Sequence, residues 1–252
     1  MSKINVNTWE PESSTALTMG ASGDTTTVPS GASLVVASGA TINITGATQT
    51  GFPSSGLNSV QTFTSGGTWT KPAGVTKVIV EVQGAGGSGA NRISLINYAV
   101  GGAAGGYAKK LLDVTDTTSA TVTIGAGGPA QATGNTGGTA GGLSKFEENV
   151  GTGGWTDVIG NGGAAGGEAV AYATSTGGIG TGGDINIQGQ YGTTGGSADR
   201  SGNSMFGFGN KIVQTGQTTA VPSTGYGAGG GGSMGVTSTA GTSGIVIVWE
   251  YQ

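Results

Sequence analysis

Residues 75 to 89 read VTKVIVEVQGAGGSG, a strand that runs without a break into glycine. Val75, Val78, Val80 and Val82 are apolar, and Lys77, Ile79, Glu81 and Gln83 form a mostly polar opposite face, so the pattern predicts a half-buried β-strand. Thr121 to Ile124 predicts another strand, and Gly244 to Tyr251 (GIVIVWEY) a third. The last is nearly continuous in apolar residues, which predicts a central, buried position. Helix-period stripes are absent, and Asn91 to Val100 is the only candidate for a short turn of helix. The fold class is all-β.

Between the strands the glycines come as doublets separated by small residues: GGAAGG at 101–106, GGTAGG at 137–142, GGAAGG at 162–167 and AGGGG at 228–232. Collagen needs glycine at every third position with abundant proline, and neither holds. Two readings remain. In one, the doublets are a flexible linker. In the other they form polyglycine II-like helices of three residues per turn, packed side by side and hydrogen-bonded through their backbones. Glycine pairs three apart exceed random placement only modestly. The physical case is stronger: side chains cannot enter such a bundle, and a flexible linker would not be interleaved with Ala, Ile and aromatics.

Composition excludes much chemistry. Of 252 residues 56 are glycine, roughly three times the usual ~7% share. There is no Cys and no His, hence no disulfide, no zinc site of the usual kind and no histidine-activated nucleophile. The net charge of -4, with nine Lys and Arg spread along the chain, provides no basic stripe for nucleic acid. The polar start MSKINVNTWEPESS lacks the apolar core of a signal peptide, so synthesis in the cytoplasm without Sec-type export is expected.

Residues 1–60 hold seven glycines and residues 61–252 the other 49, with Pro/Gly/Ser punctuation at Phe52 to Gly56 between them. The expected organisation is a β-rich stalk or attachment segment over 1–60 and a glycine-rich domain over 61–252. Within the first, Ser-Gly pairs at 22, 30 and 38 bracket short Thr/Val/Ile runs (Thr25 to Val28, Ser33 to Val36, Thr41 to Ile44). So few large apolar residues cannot offset the ordering entropy of one chain. A slender β-prism shared by three copies is the expectation, against a polar leader with no fold of its own.

Other motifs carry little. The strand running into Gly84-Ala85-Gly86-Gly87-Ser88-Gly89 imitates a dinucleotide fingerprint, but the spacing recurs as often as composition predicts and no βαβ alternation follows. Glu147 and Glu148 are adjacent and on a strand would point to opposite faces, whereas a glycosidase needs two carboxylates on one cleft. Asp157, Glu168, Asp184 and Asp199 are scattered, and no ligand spacing of an EF-hand kind is present. No catalytic residue, metal or cofactor is assigned. Asn43-Ile44-Thr45 reads most simply as strand sequence.

The binding candidates are large side chains that interrupt glycine. Arg92 and Tyr98 lie in NRISLINYAV at 91–100, and Arg200, Met205, Phe206 and Phe208 in RSGNSMFGFGNK at 200–211. Tyr172, Tyr191 and Tyr226 stand alone. Aromatic faces and Arg suit contact with sugar or protein. Burial competes with this role for Met205, Phe206 and Phe208, and is the expected fate of Phe63, Trp69 and Trp249.

The opening FTSGGTWTKPAGVTKVIVEVQGAGG at Phe63 to Gly87 resembles the glycine-rich domain at the ends of tailed-bacteriophage fibre and adhesin proteins. Similar too are Gly105-Gly106-Tyr107, VTIGAGG at Val122 to Gly128 and the step from Gly141 to Phe146, while SGDTTTVPSGASL at Ser22 to Leu34 resembles repeats of phage fibre stalks. The resemblance implies a trimeric virion fibre or tip protein that binds the bacterial surface, a glycan or an outer-membrane protein. It implies other tail or capsid proteins as partners of the N-terminal segment, and glycine-rich helices as a rigid frame for variable loops. With no long shaft, a short fibre or a capsid decoration is expected. The alternative role is a structural fibre or decoration protein without receptor contact.

Overall fold

The strand read at residues 75–83 forms over Lys77–Gln83, but its alternation holds only as far as Val80: Glu81 and Gln83, expected on a polar face, are buried, and the continuation of the strand into glycine organises everything else. The computed structural model describes residues 56–93, 98–151, 154–169, 173–194, 200–210 and 221–252, with Ser30. Of the stalk expected over residues 1–60, residues 1–55 apart from Ser30 lie outside the described residues, as does its trimeric β-prism, while Leu57 to Val60 belong to the first strand of the glycine-rich domain. In chain order the strands are β1 (Leu57–Phe63), β2 (Gly67–Thr70), β3 (Lys77–Gln83), β4 (Asn91–Arg92), β5 (Tyr98–Ala99), β6 (Tyr107–Asp113), β7 (Thr117–Thr123), β8 (Ser144–Gly151) and β9 (Val158–Gly160). They continue with β10 (Glu168–Ala169), β11 (Ala173–Ser175), β12 (Gly180–Thr181), β13 (Ile185–Ile187), β14 (Gly192–Thr194), β15 (Phe206–Phe208), β16 (Thr224–Tyr226), β17 (Ser233–Met234) and β18 (Ile245–Tyr251). The described part is all-β with no α-helix. The helical turn considered over 91–100 is replaced at its described ends by β4 and β5, which pair with distant strands rather than with their own neighbours.

Two five-stranded antiparallel sheets, ordered β1-β18-β3-β6-β13 and β12-β9-β8-β7-β2, share one apolar core. Val78, Val80, Val82, Val246 and Val248 come from the first, and Trp69, Val122, Phe146 and Val158 from the second, so the sheets pack face to face as a sandwich. The Trp69 and Phe146 rings are tilted at 5.6 Å, and Trp155 stacks on Phe146 at 5.3 Å. β18 is interior to its sheet, between β1 and β3, in keeping with its apolar sequence.

One carboxylate is buried within this core. Glu250 accepts hydrogen bonds from Trp69 Nε1 and Gln61 Nε2, both at 2.7 Å, and from Ser59 Oγ. It joins strands of both sheets through neutral donors, which is how a buried polar group is tolerated. Trp69 is fully buried, whereas Phe63 and Trp249 are half-buried.

Past Gln83 the backbone stops pairing as a sheet and bonds in a period of three. The N–H groups of Gly84, Gly87 and Ala90 reach the carbonyls of Gly106, Ala103 and Val100; those of Ala85, Ser88 and Asn91 reach Gly142, Thr139 and Thr136; those of Gly86 and Gly89 reach Thr242 and Thr239. These bonds measure 2.8 to 3.3 Å. In return the carbonyls of Ala85 and Ser88 accept from Gly163 and Gly166, that of Gly86 from Gly128, and those of Gly87 and Ala90 from Gly230 and Ser233. Segment 84–90 thus lies among six neighbours. An extended helix of three residues per turn, with no internal hydrogen bonds, presents its backbone groups in this rotation. Segment 100–106 repeats the pattern, bonding to 84–90, 227–230, 161–167, Gly178, Gln190 and Gly202.

Glycine is required by the closeness of these backbones. A Cβ at Gly86 would fall on the Ala228 carbonyl and one at Gly102 on that of Gly87, each closer than 3.0 Å. The row 85, 88, 91 faces a roomier direction and carries Ala, Ser and Asn, whose side chains lengthen away from the sandwich.

Candidate functional site

Most glycine segments continue a sandwich strand: β3 runs into 84–90, 100–106 returns to β6, β7 runs into 125–128, 137–142 returns to β8, β9 runs into 161–167 and 239–244 returns to β18, whereas 227–232 runs between the small ladder strands β16 and β17. Described residues therefore meet at the end of the lattice remote from the sandwich, where Ala90 N bonds to the Val100 carbonyl, Asn91 N to that of Thr136, Ser233 N to that of Ala90 and Thr193 N to that of Arg200. That end is tied by three short ladders, β4–β17, β5–β10 and β11–β14. The first is parallel and the others antiparallel.

Asn91 fastens the far end from within. Its Nδ2 donates to Ser233 Oγ at 2.7 Å and to the Val236 carbonyl, and its Oδ1 accepts from Gly134 N at 2.9 Å. Three turns are thereby held by one buried amide. Around it Ile93 and Tyr98 are exposed, and Arg200 is exposed with its carbonyl bonded to Thr193 N at 2.8 Å. Arg92, read from sequence as a contact residue, is 2% exposed and presents no surface there.

The other candidates lie elsewhere. Phe206 pairs with Tyr226 across β15–β16, with Phe208 opposite Thr224. The Phe206 ring meets that of Tyr107, the first residue of β6, edge-on at 5.7 Å, and Met205 N donates to Gln83 Oε1 at 3.2 Å. These contacts put Met205, Phe206, Phe208 and Tyr226 on the flank where lattice joins sandwich, not at the far end. Phe208 is 72% exposed and Met205 57%, while Phe206 and Tyr226 are half-buried. Tyr191 is exposed beside Gln190 on the same flank of the lattice, and Tyr172 lies outside the described residues.

A family model described as a glycine-rich domain matches residues 58–251. The chain belongs to that family. No curated protein matches the chain. The match spans the sandwich and the lattice together, so this glycine-rich domain is a single composite of the two rather than a repeat attached to a separate β-domain.

On the flank, the glycine-rich domain has a cleft of about 250 Å³ lined by Tyr107, Ile187, Gln188, Gln190, Asn203 and Met205 among others. Burial and the neighbouring Glu81 carboxylate push the Tyr107 phenol up to about 12, so it is uncharged at ordinary pH. Glu81 itself is held by Lys109 at 2.8 Å. The amides of this cleft were not singled out in the sequence. Gln188 and Gln190 flank Gly189, a spacing that puts both on one side, but Asn203 joins them through tertiary bonds to Gln190, whose N donates to the Asn203 carbonyl and whose Oε1 accepts from Asn203 N, both at 3.1 Å.

Four of the carboxylates weighed for hydrolysis have structural partners, Asp184 Oδ2 accepting from Leu111 N at 2.9 Å, while Asp199 lies outside the described residues. Glu147 and Asp157 both face Lys145, at 2.5 and 3.6 Å, while Glu148 accepts from Thr117 Oγ1 at 3.1 Å on the other side of β8. Hydrogen bonding to Glu147 raises the Lys145 ammonium above its usual range. Among the described residues no three Asp or Glu side chains gather as a cation site.

Proposed function

We propose that the glycine-rich domain is the host-binding part of a bacteriophage virion fibre or tip protein, acting by non-covalent recognition of the bacterial surface and without enzymatic chemistry. The N-terminal segment ahead of β1 joins three copies and attaches them to other tail or capsid proteins. Many weak contacts per particle then combine by avidity.

The observation that carries this reading is the division of labour along the lattice. Inside it backbones approach so closely that side chains are excluded, and at its far end the turns carry exposed side chains on a base of short ladders. A rigid frame under side-chain-bearing turns limits the entropy lost on binding. Loops on a rigid scaffold are where recognition residues concentrate.

The test is adsorption of purified protein to host cells, with exposed side chains removed singly. Tyr98→Ala and Arg200→Ala should each weaken adsorption about tenfold or more if they belong to the contact, the size expected of interface anchors. Unchanged adsorption in the double variant would reject the far end as the contact surface. Deleting residues 200–210 outright is not a test of contact, because Gly202 N bonds to Gly102 and its removal breaks the frame.

A further inference from the structure

Resting on the host-binding reading, we infer that the flank cleft formed by Gln188, Gln190, Asn203, Ile187 and Met205 is a subsite for one neutral hexose unit of a cell-surface glycan.

The three amides are oriented by the backbone around them. Gln190 Oε1 accepts from Asn203 N at 3.1 Å, and Asn203 Oδ1 accepts from Gly209 N at 2.8 Å. With both oxygens engaged, the amide orientations are set and both NH2 groups remain as donors with no acceptor among the described residues. Gln188 is the reverse: its Nε2 donates to the Gly177 carbonyl at 3.3 Å, which leaves Oε1 as an acceptor. The cleft therefore offers two donors and one acceptor on fixed supports. Neighbouring sugar hydroxyls, each able to donate and accept, match that set.

The remaining walls suit the rest of a pyranose. Ile187 and Met205 are 40% and 57% exposed and give the cleft apolar side chains for the C–H face of the ring. The floor includes the backbone at Gly105 and Gly189, fixed by bonds of 2.9 Å to Gly227 and Gly178. No charged side chain lines the cleft, so sialic or uronic acids have no counter-ion there. At about 250 Å³ it admits a single sugar ring but not a run of peptide, which favours a glycan over a protein loop.

The probe is a panel of methyl glycosides of glucose, galactose, mannose and N-acetylglucosamine, with glucuronic acid as the charged control, titrated into the full chain and followed by the side-chain amide resonances of Gln190 and Asn203. At least one neutral glycoside should bind with an affinity on the order of 1 mM and shift both resonances. Gln190→Ala and Asn203→Ala should each weaken it about tenfold, with an unchanged melting temperature required of at least one of them. Absence of binding by every neutral glycoside, equal binding of glucuronic acid, or binding with neither amide resonance shifted would overturn the subsite. Cell adsorption separates the two readings: protein that binds cells but no sugar loses only the subsite and points to a protein receptor. Protein that binds sugar in this cleft but no cells keeps the subsite and loses the adsorption role.

Discussion

The sandwich and the glycine lattice are built from the same strands and solve burial in opposite ways. In the sandwich the backbone pairs edge to edge and the side chains meet, with Trp69, Phe146 and the valines of β3 and β18 filling the space between sheets. In the lattice side chains are absent or mostly as small as Ala and Ser, and the backbones themselves meet, segments 84–90 and 100–106 bonding in rotation to neighbours on several sides. Hydrophobic burial and packing hold the first. Satisfied peptide groups and close backbone contact hold the second. The contrast teaches that tolerance to substitution should have opposite signs: the sandwich suffers when side chains shrink, the lattice when they grow.

The largest effect should come from a lattice interior position. Gly102→Val drives a branched side chain into the Gly87 carbonyl, and a loss above ~4 kcal/mol is expected, enough to abolish the cooperative thermal transition. A variant that still melted within a few degrees of the parent would break the comparison. Next, Trp69→Ala empties the centre of the sandwich and should cost about 3–5 kcal/mol by denaturant unfolding, with the lattice turns kept while the domain remains folded. Glu250→Ala leaves Trp69 Nε1 and Gln61 Nε2 without their acceptor, and about 2–3 kcal/mol is expected. A loss below 0.5 kcal/mol would mean that this carboxylate does not join the sheets.

The seam between the two regions has its own signature. Because the Tyr107 phenol titrates at about 12 when folded and near 10 when unfolded, the folded state holds the proton more tightly between those values. Its contribution is complete below pH 10 and is lost as pH rises toward 12. Tyr107→Phe should flatten that decline in a pH series of unfolding curves, and an unchanged slope would assign the alkaline loss to other groups. The smallest effect belongs to Phe208→Ala: at 72% exposure it should alter stability by no more than ~0.5 kcal/mol, and a larger loss would mean that β15–β16 braces the seam.

Legibility followed the same divide. β3 and β18 could be read because alternation and apolar runs report directly on a side-chain core. The opposed directions of Glu147 and Glu148 followed from strand geometry alone. Gln83 could not be read: it was assigned to a polar face, yet it is fully buried, its Nε2 bonded to the Gly105 carbonyl at 2.8 Å where β15 covers the end of β3. Arg92 went astray for the same reason, since its surroundings come from chain segments far away in sequence. The three amides of the flank cleft carry no local signal beyond the spacing of Gln188 and Gln190.

By itself the sequence determined that the domain would be all-β, that chemistry based on Cys or His was excluded, and that 49 glycines would cluster among strands in residues 61–252. Tertiary structure decided which glycine segments are neighbours, where the turns gather and which polar side chains meet. The physical reason is that glycine has no side chain with which to encode a partner: each peptide unit carries the same donor and acceptor, so the pairing of 84–90 with 100–106 is fixed by the strands that feed them.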